Sequence, residues 1–241
     1  MAKLVGTISA IRDIPSEWKE QMFDLLTHYF DHIERDHFYR DLAQKNYAIL
    51  LRDKDHSALR GFSTLQFIDL EYQGEPIKVI FSGDTIIDQA YWGTMELPKV
   101  WLKAIFSFRE AESPKRWYWF LICSGYKTYR FLPVFFKEFY PRFDKPTPQV
   151  VKEMIHLFAD YKFPGDYDPA TGTLRFSHSR ERLKQGVADI TEDKLKNAHI
   201  RFFAEKNPHH AEGAELCCLC EVNEQNLTSA GKKLLAMGTG E

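Results

Sequence analysis

The sequence predicts an α/β (α+β) fold in which helices flank a mixed, mostly antiparallel sheet. Apolar strands at residues 46–51, 61–71 and 77–88 follow one another with short polar turns between them, which is typical of an antiparallel meander. An amphipathic helix separates the third of these strands from a strand at 116–123, and a helical connection favours a parallel pair at that point. The sheet is therefore expected to contain one parallel pair among antiparallel ones.

The N-terminal part adds one strand and two helices to this sheet. Residues 4–11 have the pattern of a strand, and Pro15 with Ser16 opens a helix. The apolar positions of that helix recur at helical spacing: Trp18, Met22, Leu25, Leu26 and Tyr29. Residues 33–44 form a second helical pattern.

The middle of the chain predicts two further helices. Gly93 and Thr94 form a turn, and Thr94 has the hydroxyl of a good N-cap for a helix over 96–110. Residues 128–140 carry an apolar stripe that predicts a helix, with Pro133 either in its first turn or at a kink.

The C-terminal part predicts an insertion before a final hairpin. Residues 142–197 are polar around a helix at 150–161, and this segment is expected to cover an edge or mouth of the sheet within a single domain. Residues 199–204 and 215–222 have the pattern of two strands joined by a longer loop, and a short terminal helix follows.

Composition narrows the class of protein. The 241 residues carry a formal net charge of −2 and no long basic run, so we expect a small-molecule substrate and no nucleic acid. No apolar run reaches the roughly 20 residues of a membrane span, and four cysteines are too few for a disulfide framework, so a cytoplasmic location is expected. The oligomeric state stays open. An aromatic content of 15% indicates bulky packing and an apolar cavity or partner surface.

The segment 81–94, FSGDTIIDQAYWGT, is the strongest candidate for a site. Polar residues from Ser82 to Thr85 interrupt an apolar strand, and the strand leads through a glycine turn into a helix N-terminus. Backbone N–H groups at such a place can receive an anion. The alternative is an ordinary connection between a strand and a helix.

The order of the elements resembles that of the GNAT superfamily of acyl-CoA N-acyltransferases. The resemblance covers residues 4–140 and 199–222, with 142–197 as an insertion. It implies that an acyl thioester lies between the separating strands 77–88 and 116–123, with its diphosphate on the amides of the following loop. The family pattern for that loop is Arg/Gln-x-x-Gly-x-Gly/Ala, and with Gly93 on the first glycine this chain has Ala90 and Met95 at the other two positions.

The resemblance also implies roles for particular residues. Coenzyme A thioester is the expected co-substrate, bound weakly by the loop residues Tyr91, Trp92, Gly93 and Thr94. The catalytic residues would be Asp84 as the base and Tyr129 as the acid. Tyr91, Trp92 and Tyr129 are expected to line the cleft between the strands. The alternatives are a hydrogen-bonded carboxylate at a sheet rim for Asp84 and core packing for Tyr129.

No metal is expected. His209 and His210 with Cys217, Cys218 and Cys220 do not have the spacing of a zinc site, because alternate residues of a strand face opposite sides. Two functions stay open at this point. One is an N-acyltransferase that transfers an acyl group from a thioester of coenzyme A or an acyl carrier to an amine. The other is a catalytically silent module of the same fold that binds a small ligand or a partner peptide in an aromatic cleft.

Overall fold

The computed structural model describes residues 4–53, 58–112, 115–176 and 181–237. The strands are β1 (Leu4–Ala10), β2 (Phe30–Asp31), β3 (Tyr47–Asp53), β4 (Leu59–Tyr72), β5 (Glu75–Ile87), β6 (Arg116–Cys123), β7 (Tyr167–Asp168), β8 (Thr173–Leu174), β9 (Arg182–Leu183) and β10 (Glu215–Glu221). The helices are α1 (Ser16–Tyr29), α2 (Arg35–Gln44), α3 (Glu96–Ala111), α4 (Tyr126–Tyr129), α5 (Phe131–Phe135), α6 (Gln149–Lys162), α7 (Glu192–Leu195), α8 (Ala198–Lys206) and α9 (Ser229–Ala236).

Eight strands form the central sheet in the order β1-β3-β4-β5-β6-β10-β8-β7, while β2 and β9 pair separately. β5 runs parallel to β6, with residues 77–82 beside 116–121, and the other pairs of this sheet are antiparallel. The mixed, mostly antiparallel sheet predicted from the sequence is therefore confirmed, including its parallel pair.

The two parallel strands separate towards their C-terminal ends. Their pairing ends at Ser82 and Leu121, whereas β5 stays paired with β4 as far as Ile87. Ser82 lies opposite Leu65 and Thr85 lies opposite Ser63, so β5 has one residue more than β4 in this interval. This is a β-bulge, which bends the strand away from its neighbour.

Helices cover both faces of the sheet. On one face, the buried side chains of α3, α5, α8 and α9 pack on alternate residues of the strands, among them Ile80 and Trp119. On the other face, α6 packs on the strand residues of opposite parity, among them Phe81 and Phe120, and α1 and α2 form an adjoining cluster. Of the described helices, none is long and apolar enough to cross a membrane.

The predicted C-terminal hairpin is wrong in its first strand. Residues 198–206 form α8, because the side chain of Asn197 accepts hydrogen bonds from the amides of His199 and Ile200 and thereby caps a helix. Ile200 and Phe203 are buried one helical turn apart. β10 instead pairs with β6 on one side and β8 on the other, and β8 and β7 of the 142–197 segment extend the sheet beyond it.

The predicted helix over 128–140 is also wrong in its extent. Two short helices, α4 and α5, end at Phe135, and Phe136 is extended. Tyr140 and Leu219 exchange both of their backbone hydrogen bonds at 2.8 Å. Pairing with β10 therefore replaces the last helical turns, which local propensity alone does not reveal.

Candidate functional site

A cleft of about 620 Å³ opens where β5 and β6 separate, on the face covered by α1, α2 and α6. Asp84 and Thr85 line it from β5, Ser124 and Gly125 from the end of β6, and Glu215 from the start of β10. Three neighbouring strands thus supply polar groups to it at or near their ends. The size is that of an ordinary small-molecule site.

The β-bulge determines where Asp84 points. Side chains alternate along a strand, so Asp84 would share the face of Ser82 if the strand were regular. Ser82 accepts a hydrogen bond from Trp119 Nε1 on the α3 face, whereas Asp84 lines the cleft on the opposite face. The extra residue of the bulge produces this switch of face. A side chain at Gly83 would not fit, since its Cβ would lie 2.7 Å from Thr64 Oγ1.

Carboxylates cluster around this point. Burial, and then the charge of Asp41, raises the pKa of Asp84 to about 7. Burial raises the pKa of Glu215 to about 7 as well, the charge of Asp84 adds to this, and a hydrogen bond from Ser124 opposes it. Burial also raises the pKa of Glu181, whose Oε1 lies 3.2 Å from Nδ1 of His37. At neutral pH, Asp84 and Glu215 can therefore both accept and release a proton.

Two lysines lie on the floor of the same cleft. Lys45 Nζ lies 2.7 Å from Asp41 Oδ1, and Lys162 Nζ lies 3.7 Å from that same oxygen. Their side chains are 1% and 8% exposed. Both ammonium groups lie over the ring of Phe81, at 4.9 and 5.4 Å from its centroid. Burial, and then the charge of Lys45, lowers the pKa of Lys162 to about 8.

Aromatic rings form the apolar part of the lining. Phe81 lies 5.6 Å from Phe163, and Phe163 lies 5.4 Å from Phe176, between ring centroids. These rings come from β5 and from the segment after α6. The cleft therefore presents an apolar wall beside its charged groups.

The gap between the strands is nearly filled on the α3 face. A cavity of about 30 Å³ lies between the side chains there, which is room for about one water molecule. The rings of Trp101 and Trp119 lie 4.4 Å apart and occupy the space beside it. Thr85 and Thr128 line both this cavity and the large cleft, so they mark the place where the two faces meet.

The loop between β5 and α3 does not form an open cradle of amides. The amide of Gln89 donates to Tyr29 Oη, that of Ala90 to the Asp88 carboxylate, and those of the next residues to oxygens within the loop. Six of the eight amides over residues 89–96 have such partners. The carboxylate of Glu96 also lies at the start of α3, where it accepts from the amide of Gly6. The carboxylates of Asp88 and Glu96 pair in turn with Arg60 and Lys99, at 3.6 and 3.0 Å, so the polar groups of this loop are largely engaged with one another.

Thr94 does not occupy the N-cap position that the sequence predicts. α3 begins at Glu96, and Met95 is the capping residue with a side chain that is 49% exposed. Thr94 Oγ1 nevertheless accepts a hydrogen bond of 3.2 Å from the amide of Glu96. Gly93 has a positive φ of +88° in this turn, a conformation that glycine adopts without strain.

The cleft lining does not include Tyr91, Trp92 or Tyr129. Tyr91 donates to Asp53 Oδ2, and Trp92 Nε1 donates to the carbonyl of Ile87. Tyr129 is fully buried, donates to the carbonyl of Pro141 and packs against Phe203. Asp84 is thus the predicted site residue that lies in the cleft, and the roles assigned to the tyrosines, to Trp92 and to the loop stay predictions.

The cysteines have the alternation that the sequence predicts. Cys218 and Cys220 lie in the core on the α3 face, and Cys217 lies on the α6 face. His209 lies beside Glu212, with Nδ1 3.0 Å from Oε1.

Sequence reasoning missed Lys45, Lys162, Glu181 and Glu215 as members of the site. A glutamate at the start of an apolar strand was a usable signal for Glu215, of the same kind that identified Asp84. Lys45 follows α2 and Lys162 ends α6, and cations are common at the C-terminal ends of helices. Their sequence positions therefore do not indicate a site.

No protein-family model and no curated protein sequence matches the chain. Solved structures do match it. The GNAT family N-acetyltransferase YhbS from Escherichia coli, in complex with CoA, is 17% identical over 54% of this chain and 68% of that one, with a TM-score of 0.39. A conserved protein of unknown function from Enterococcus faecalis V583, described as a probable N-acyltransferase, is 12% identical over 90% of this chain and 66% of that one, with a TM-score of 0.43. An aminoglycoside acetyltransferase from an uncultured soil metagenomic sample, in complex with sisomicin, is 13% identical over 53% of this chain and 82% of that one, with a TM-score of 0.38.

The topology of the chain itself agrees with the family resemblance. Three antiparallel strands lead into a helix and a parallel strand, and the parallel pair separates beside a bulge and a cleft. The chain therefore has a divergent GNAT-like fold.

Proposed function

We propose that this protein is an N-acyltransferase that moves an acyl group from a thioester to an amine held in the cleft. The observation that supports this most strongly is the pair Asp84 and Glu215, two carboxylates with a pKa of about 7 at the point where β5 and β6 separate. Acyl transfer to an amine needs a group that takes the proton of the amine at neutral pH. Ordinary carboxylates are too acidic for efficient transfer, whereas these two are suited to it.

The reaction forms a C–N bond and breaks a C–S bond. The amine attacks the thioester carbonyl, Asp84 takes its proton directly or through a water molecule, and the collapse of the intermediate expels the thiolate. The proton then passes to the thiolate, which leaves as a thiol. Burial and the charges of Asp41 and Glu181 hold the pKa of Asp84 near 7, and the charge of Asp84 in turn raises the pKa of Glu215.

The residues that would bind the thioester donor fit it less well than the cleft fits an amine. The bonded amides, Asp88 and Glu96 do not fit a diphosphate, so the proposal assigns no step to that part of coenzyme A. The pantetheine arm would need the side chains of Trp101 and Trp119 to move, because the cavity beside them holds only about 30 Å³. The same observations favour the second candidate, a catalytically silent module that binds a ligand in the cleft.

Mass spectrometry of reaction mixtures distinguishes the two candidates. Purified protein is incubated with thioesters of coenzyme A, of pantetheine and of an acyl carrier protein, together with a mixture of amines. The proposal predicts an N-acylated product that depends on the protein and on Asp84. If no thioester is consumed while an amine still binds, the silent module is the better account.

A further inference from the structure

The two buried lysines are not needed by the chemistry proposed above, although they lie in the same cleft. Lys45 follows the last residue of α2, and Lys162 is the last residue of α6. The C-terminal ends of helices favour cations. That position explains how two ammonium groups tolerate burial. It does not explain why both line a cleft.

The two ammonium groups share the carboxylate of Asp41 at this point. One carboxylate, Asp41, lies within 4 Å of both ammonium groups, and Lys162 also donates to Gln44 Oε1 at 3.1 Å. Repulsion from Lys45 contributes to the lowered pKa of Lys162. An anion bound between the lysines would remove this repulsion, and charge-assisted hydrogen bonds to an anion are stronger than neutral ones.

The carboxylates lie at the other side of the same lining. Lys45 is close enough to Asp84 for its charge to lower the pKa of that group, and a Cβ on Gly83 would lie 3.0 Å from Lys45 Cε. A positive group bound at Asp84 and a negative group bound at the lysines would therefore belong to neighbouring atoms of one ligand. The ring of Phe81 lies under both lysines and continues into the aromatic wall at Phe163.

We infer that the acceptor is an apolar amino acid whose amine lies at Asp84, whose carboxylate is bound by Lys45 and Lys162, and whose side chain packs on the aromatic wall. The inference rests on the proposed function for the amine and adds the acid group and the apolar body. It makes the lysines binding residues and leaves proton transfer to Asp84.

Calorimetry without any thioester tests this inference independently of acyl transfer. The probes are phenylalanine, its amide and phenethylamine, which share the ring and the amine and differ in the acid group. We expect phenylalanine to bind about 10- to 100-fold more tightly than the other two, as for a hydrogen-bonded charge. Lys162→Met should abolish the difference and Lys162→Arg should keep most of it. Lys232→Met, at an exposed lysine of α9, should change nothing.

Equal affinities for the three probes, or binding of none of them at millimolar concentration, would overturn the inference. The same is true if Lys162→Met binds phenylalanine as the unmodified protein does while melting normally. A clear preference for phenylalanine without any acylated product would instead support the amino-acid site and contradict the acyltransferase function.

Discussion

Asp84 shows how one side chain acquires its chemistry from its surroundings. A carboxylate in an apolar strand can lie at a solvated rim or in a site, and the sequence does not distinguish these. The bulge places Asp84 in the cleft, and burial together with the neighbouring acids raises its pKa to about 7. Such a group is poorly suited to stabilising the fold at neutral pH, which is common at functional sites.

Replacement of Asp84 should therefore raise thermal stability at neutral and alkaline pH. The folded pKa lies above the ordinary value of 3.8, so the folded state holds the proton more tightly, and the resulting stability is lost as pH rises towards 7. Asp84→Asn keeps the neutral shape at every pH. We expect its melting temperature to exceed that of the unmodified protein by roughly 2 °C or more at pH 8, and to match it near pH 4.

Calorimetric melting at both pH values checks this expectation. Asp160→Asn, at an exposed carboxylate of α6, serves as the control and should melt like the unmodified protein. A lower melting temperature for Asp84→Asn at pH 8 would mean that the charged carboxylate supports the fold.

At the level of single elements, the sequence predicts strands and long helices well and fails for the segment 198–206 and for the residues after Phe135. The run at 116–123 and the helix α6 are recovered almost to the residue. The segment 198–206 has too few apolar positions to distinguish a strand from a short helix. The side chain of Asn197 caps it as a helix. Pairing of Tyr140 with Leu219 ends a helical pattern from a distance of many residues.

Mutation of the capping residue tests whether residues 198–206 form a helix. Asn197→Ala removes the acceptor for two amides and should reduce the free energy of unfolding by about 0.5 to 2 kcal/mol. Urea unfolding measures the change, with Glu205→Ala on the exposed face of the same helix as the control. Equal stabilities of the two variants would speak against a capped helix at this place.

The loop before α3 can be tested for its ability to bind the diphosphate of coenzyme A. Six of the eight amides over residues 89–96 have partners and the carboxylates of Asp88 and Glu96 lie beside them, so the diphosphate of coenzyme A should add little to binding. We expect acetyl-CoA and acetyl-pantetheine to bind within about threefold of each other, or about 0.7 kcal/mol. Competition between the two thioesters in calorimetry measures the ratio. A hundredfold advantage of acetyl-CoA would show that the loop rearranges into an anion site.

For the whole molecule, the sequence predicts the sheet and one strand of the site. The remaining site residues can be identified only once the chain is folded. Asp84 lies on β5, Lys45 follows α2, Lys162 ends α6 and Glu215 opens β10, so the cleft combines segments separated by up to 170 residues. No local pattern links these positions. Their charges come together only in the folded chain, where all four residues line one cleft.

In the proposed reaction, Asp84 accepts the proton of an amine during acyl transfer. Steady-state turnover of one thioester and one amine, compared between the unmodified protein and Asp84→Asn at pH 8, tests it most directly. We expect a loss of about 10²- to 10⁴-fold in turnover together with a melting temperature that is higher by roughly 2 °C or more at this pH. Turnover that is equal in the two proteins, with both folded, would contradict it.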